Sequence, residues 1–88
     1  MGFERFKNLS TEEKENLEFE DFTVSEMKVI IEETILSAEN KKIAEMRFVK
    51  LWSVDKIAER LVFDKRTVYA RINTIRKKML KTIKILIN

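Results

Sequence analysis

The chain has no cysteine, no histidine and no proline, and Gly2 is its single glycine. Without thiols or imidazoles it cannot build a disulfide scaffold, a thiolate zinc site, a cysteine nucleophile or a histidine acid/base pair, so carboxylates and lysines are what remains for catalysis. Without proline nothing interrupts helices, and without glycine the type II and primed hairpin turns lack their usual residues. No stretch alternates apolar and polar residues between turn signals, as a half-buried strand would. The expectation is an all-α fold. No apolar run approaches the ~18 residues of a membrane span. Residues 1–9 carry charges where a signal peptide would be apolar. A cytoplasmic protein without membrane association is therefore expected, and neither internal repeats nor low-complexity segments interrupt the chain.

What is present is charge, unevenly placed. Eighty-eight residues suit one small domain, and 44% hydrophobic residues provide for a core under a surface made salty by 38% charged ones. The net charge of +3 hides an asymmetry. Residues 1–40 hold four cations against eleven acids, a net of −7, whereas residues 41–88 hold fourteen cations against four acids, a net of +10. A basic half of this size is the footprint of nucleic-acid binding, in which Lys and Arg neutralise phosphates and release counterions. The competing reading is a solvated helix face.

Residues 1–22 read poorly, because Phe3, Phe6, Leu9, Leu17, Phe19 and Phe22 fit no single period, although Ser10 and Glu13 have the spacing of a capping box. Thr23 and Glu26 form a second box. Met27, Ile30, Ile31 and Ile35 follow at helical spacing, which predicts a helix over residues 24–36 with those four side chains on its apolar face. Ser37 is placed to cap a helix from Ala38 to about Leu51, with Ile43, Met46 and Val49 at intervals of three; a break at Ser37 and a continuous helix are both open. Ser53 opens a two-turn helix with Val54, Ile57, Ala58 and Leu61 inward and Lys56, Glu59 and Arg60 outward. After the link Val62-Phe63-Asp64, in which Asp64 can cap, a long basic last helix turns Val68, Ile72, Ile75 and Met79 inward. Lys65, Arg66, Tyr69, Ala70, Asn73, Arg76 and Lys77 lie on its other faces. Two short-linked helices, the second basic on its outer side, form a helix-turn-helix pattern.

Residues 36–80 resemble the fourth conserved region of bacterial sigma factors and the related small regulators of phages and mobile elements. The elements that carry the resemblance are Met46-Arg47-Phe48, the cap Ser53, the block Ile57-Ala58-Glu59-Arg60-Leu61, and Thr67-Val68-Tyr69 followed by Arg71-Ile72. The resemblance implies scaffold helices beneath a last helix that enters the major groove of promoter DNA. Three positions depart from it. Glycine usually precedes the serine cap and stands in the turn, where this chain has Leu51 and Val62, residues that tolerate positive φ poorly. Either the turn geometry differs or Val62 carries strain of about 1–3 kcal/mol. Asp64 stands where Ser or Thr is usual, and its carboxylate repels phosphate while still capping the helix. Residues 1–35 form an acidic helical part outside the resemblance, residues 81–88 an apolar extension, and the sigma regions that melt promoters or bind core polymerase are not among these residues.

The resemblance assigns roles residue by residue. Lys65 and Arg66 occupy the first turn of the reading helix, where Arg can bond guanine through two hydrogen bonds. Tyr69 and Asn73 follow on the same face with Ala70; Asn suits adenine and Tyr suits phosphate or sugar, with partial core packing the alternative for Tyr69. Thr67 either touches phosphate or caps the helix. Arg71, Arg76, Lys77 and Lys78 are phosphate candidates of which at most half reach DNA together, and Lys56 and Arg60 straddle the backbone or sit in water. Trp52 is read as core. Glu12, Glu13, Glu32 and Glu33 scatter over helix surfaces with no phosphate loop or histidine beside them, so neither catalysis nor a metal or cofactor is expected.

The expected function is a sequence-specific, double-stranded DNA-binding transcriptional regulator. Competing readings are a sigma-like interaction module that docks on RNA polymerase or a sigma-binding factor, and a DNA-packaging or recombination subunit. The inward stripe continues through Ile83 and Leu86, while Leu80, Ile85 and Ile87 add apolar surface. That excess either packs on the N-terminal phenylalanines or supports a homodimer through the C-terminal helix.

Overall fold

A computed structural model describes residues 3–88, all of it helix, turn or connection, with no strand among the described residues. The five α-helices are α1 (Thr11–Glu15), α2 (Val24–Glu33), α3 (Ala38–Ala44), α4 (Val54–Leu61) and α5 (Lys65–Ile87). Short 3-10 turns at Glu4–Phe6 and Phe19–Asp21 stand ahead of α1 and α2, and α3 widens into a π-helical stretch, Glu45–Val49.

Each start is fixed by a side chain that accepts from an otherwise unpaired backbone N–H. Ser10 and Thr23 accept from Glu13 and Glu26, whose carboxylates accept in return from the cap N–H, so both expected capping boxes form. Ser37 and Ser53 accept from the N–H of Asn40 and Lys56, each at 3.1 Å. Asp64 accepts from Arg66 at 3.3 Å.

The chain breaks before Ser37, and α2 ends at Glu33 rather than at residue 36. Thr34 is already extended, its hydroxyl donating to the Ile30 carbonyl at 2.6 Å and lying 2.8 Å from the Thr82 hydroxyl of α5. Ile35, expected on the apolar face, is 90% exposed, because the early stop carries it out of the helix. The expected helix through Leu51 also changes character. Lys50 N–H donates to Glu45, five residues back, and Trp52 N–H reaches Met46 at 2.9 Å.

Leu51 and Val62 are the two non-glycine residues with positive φ among those described, at 60° and 58°. Both positions where glycine was expected and is absent thus adopt left-handed geometry without it, and the strained alternative is the one adopted. Val62 closes a Schellman motif: its N–H donates to Glu59, and Phe63 N–H donates to Ala58 at 2.9 Å. Two terminal carbonyls of α4 and the anchoring of the Phe63 ring against the core hold a β-branched residue in a conformation that costs about 1–2 kcal/mol.

The core is one apolar cluster. Val68, Ile72, Ile75, Met79, Ile83 and Ile87 of α5 are buried in it, together with Ile30 and Ile31 of α2, Ile43 and Ala44 of α3, and Ile57 of α4. The N-terminal aromatics complete it, with Phe6 and Phe22 4.9 Å apart and Phe19 edge-on to Phe48 at 5.0 Å. The α5 seam is thus covered from within the chain, and Leu80 and Ile85 are the apolar side chains of the tail left outward. Trp52, read as core, is only half-buried at the core's margin.

Arg5 locks the N-terminal segment down. Its guanidinium donates to both carboxylate oxygens of buried Glu26, at 2.9 and 2.6 Å, and to the Asp21 carbonyl at 2.7 Å. These bonds hold the Glu26 carboxyl below its ordinary value of 4.5, against the opposing effect of burial. A depressed folded value means that the stabilisation is present above the ordinary carboxylate range and is lost as pH falls through the depressed value.

Two outcomes are expected. Val62→Gly raises stability in urea by about 0.5–1 kcal/mol, because the relieved strain exceeds the added unfolded-state entropy and an 89% exposed side chain loses little packing. Val62→Ala gives no such gain, and equal effects from the two changes would contradict the strain. Glu26→Gln costs about 1 kcal/mol at neutral pH, allowing for solvent beside Arg5, and the gap to the parent narrows on acidification. A gap independent of pH would contradict the role given to the carboxylate.

Candidate nucleic-acid interface

The buried seam of α5 settles which of its residues face out. Arg66, Ala70, Asn73, Lys77, Lys81 and Lys84 all stand two positions before a buried or half-buried seam residue. Two residues are about 200° of helix rotation, so these six form an exposed stripe opposite the core. Its four cations have no ion-pair partner among the described residues. Tyr69 borders the stripe, is 55% exposed and lies outside the core cluster. Thr67 is exposed too, and Asp64 rather than Thr67 supplies the cap.

Other expected site residues are held by the fold. Lys65 Nζ lies 2.7 Å from Asp55 Oδ1, and this hydrogen bond raises the Lys65 pKa above its ordinary value. Arg71 turns toward α3, where its guanidinium donates to Asn40 Oδ1 at 2.9 Å and pairs with Glu39 at 2.8 Å. Arg76 lies half-buried over the Phe19 ring, 4.4 Å from its centre. Of the four cations expected to share the phosphate contacts, Arg71 and Arg76 are thus committed to the fold, while Lys77 and Lys78 stand exposed.

Lys56 and Arg60 are exposed and have no ion-pair partner among the described residues. They lie over the Trp52 ring at 4.2 and 5.7 Å, with Lys50 at 5.2 Å. Asp55 and Lys50 escaped the sequence reading. Asp55 precedes Lys65 by ten residues, and only the reversal at Val62 brings them together; the signal for Lys50 was its position beside the lone tryptophan.

On another side, an open groove of about 440 Å³ runs between residues 19–27 and the π-helical stretch. Phe19, Phe22, Met27 and Phe48 line it, Val24 and Leu51 stand exposed at its edge, and Arg47 and Arg76 supply charge. Among the described residues there is no cluster of acids able to hold a metal ion, and no helix is long and apolar enough to cross a membrane.

Arg71→Ala is expected to lower stability in urea by about 1–2 kcal/mol, through the lost bonds to Glu39 and Asn40. An unchanged urea midpoint would return Arg71 to the set of outward cations. Comparison with protein-family models, with curated proteins and with solved structures finds no match for this chain.

Proposed function

We propose that the chain is a double-stranded DNA-binding transcriptional regulator that uses α4 and α5 as a helix-turn-helix of the kind found in sigma region 4. The observation that carries this reading is the exposed stripe of α5. Arg66 and Asn73, side chains suited to guanine and adenine edges, alternate there with small Ala70 and with lysines that suit phosphates. A major groove about 12 Å wide admits one helix, and among the described residues no other element lies over this stripe. Arg66 is the main base-reading candidate, because Lys65 must first leave Asp55. Lys77, Lys81 and Lys84 hold backbone along the helix.

The acidic first part repels phosphate, as do Asp55 and Asp64 beside the reading helix. Affinity for random duplex is accordingly modest, and sequence preference comes from the base-facing residues.

A second reading, an interaction module that docks on RNA polymerase or a sigma-binding factor, is favoured by the groove with exposed Val24 and Leu51 at its edge. It leaves the cationic stripe without a use.

The test is binding to random duplex fragments across a salt series, followed by selection of the bound sequences. The expectation is affinity that falls with salt together with an enriched sequence. Arg66→Ala then costs about 1–3 kcal/mol on the selected site and relaxes one base position. Absence of binding at low salt would reject the DNA reading in favour of the interaction module, and salt-dependent binding without enrichment would reject base reading.

A further inference from the structure

We infer that the groove between residues 19–27 and the π-helical stretch binds a small amphipathic carboxylic acid, with its carboxylate on Arg76 and its apolar body along Phe22, Met27 and Phe48. The inference does not rest on the duplex-binding reading, since no residue of the outer stripe of α5 lines the groove.

The groove holds about 440 Å³, and small-molecule sites are typically apolar concavities of about 300–1,000 Å³ with a few polar groups that fix orientation. The charged groups lining it are Arg47, Arg76 and Glu20, two cations against one acid. Three arginines of the chain are half-buried, and two of them are engaged. Arg47 donates to the Trp52 carbonyl at 2.9 Å, and Arg71 donates to Asn40 and pairs with Glu39. Arg76 makes neither a hydrogen bond nor an ion pair among the described residues.

What holds Arg76 is aromatic. Its guanidinium lies 4.4 Å from the centre of the Phe19 ring and 5.9 Å from that of Phe48, and the two rings meet edge-on at 5.0 Å. Stacking of this kind uses the face of the cation and leaves its N–H donors at the edge without acceptors. A carboxylate matches that fork with two parallel N–H···O bonds, which are stronger beside an apolar wall than in open water. Buried Ile75 and Met79 fix the rotation of α5 on either side of Arg76, so the fork is set before a ligand arrives.

The rest of the groove selects the rest of the ligand. Phe22, Met27 and Phe48 offer apolar surface, extended at the edge by exposed Val24 and Leu51. A molecule charged at one end and apolar along its length fits this arrangement. A neutral lipid leaves the fork unmatched, an amine meets two cations, and a second carboxylate meets Glu20 or the apolar floor.

The probe is sodium decanoate, with decanol as its uncharged counterpart, added to the isotope-labelled full chain while amide and arginine N–H chemical shifts are followed. The expected result is saturable change at Phe22, Met27, Phe48 and Arg76 Nε–H, with decanoate bound about tenfold tighter than decanol. Arg76→Gln removes that preference and leaves decanol binding near the parent's. Because Arg76 also covers Phe19, a second variant leaves the packing alone. Val24→Glu puts an acid at the exposed first position of α2, which a helix start tolerates, and weakens decanoate binding about threefold while sparing decanol.

Equal binding of decanoate and decanol, or a preference that survives in both variants, would overturn the assignment to a carboxylate. Changes centred on Lys77, Lys81 and Lys84 would mean attraction to surface charge and would overturn the site. Absence of saturable change in the groove would overturn the small-ligand site and leave the duplex-binding reading untouched.

Discussion

A helix of 23 residues held along one side is the constraint on which the rest depends. Val68, Ile72, Ile75, Met79, Ile83 and Ile87 fix the rotation of α5 about its axis, because each buried side chain contributes about 1.5–3 kcal/mol and none can leave without opening the core. Once rotation is fixed, helical geometry decides what faces away. The stripe two residues earlier, from Arg66 to Lys84, is presented outward by the same packing that buries the seam. A cavity in this seam acts on the outer stripe as well as on stability, since a seated helix aims its outer side chains and a loosened one does not.

The turn into that helix is strained, and its neighbourhood is acidic. Val62 adopts a conformation suited to glycine, anchored by two backbone bonds and the packed Phe63. Asp64 caps the helix start and Asp55 engages Lys65. Each of these contacts holds α4 and α5 in one relative arrangement, and each carboxylate lowers the attraction of the helix start for polyanions. The carboxylates thus help fix the start of α5, while the unpaired cations of its outer stripe lie further along the helix. The charge asymmetry along the chain reappears in three dimensions as a division between an acidic N-terminal part and a cationic outer stripe.

Much of this was legible in the sequence. The seam spacing of α5, the serine and threonine caps and the absence of strand all follow from local periodicity and hydrogen-bonding chemistry, which act within a few residues. What local periodicity left unread concerns residues whose fate is decided at long range. Ile35 has helical spacing from Ile31, yet it falls outside α2 because Ser37 must be extended to cap α3 and Thr34 meets Thr82 across the fold. Arg71 and Arg76 look like their neighbours in a basic run; only the packing of α3 and of Phe19 turns them inward. The N-terminal phenylalanines had no period because they pack as a cluster from two 3-10 turns and their flanks rather than along one helix. The Val62 geometry was one of two alternatives left open by a missing glycine, and the long-range anchoring of Phe63 selects it.

The most direct test of the account is the change in backbone amide chemical shifts across the full chain on addition of a selected duplex. The predicted result is that the largest changes fall on the outer stripe of α5, at Arg66, Ala70, Asn73 and Lys77, while the seam amides of Ile72, Ile75 and Met79 move little. Changes confined to the groove between residues 19–27 and the π-helical stretch, with the outer stripe unmoved, would contradict it.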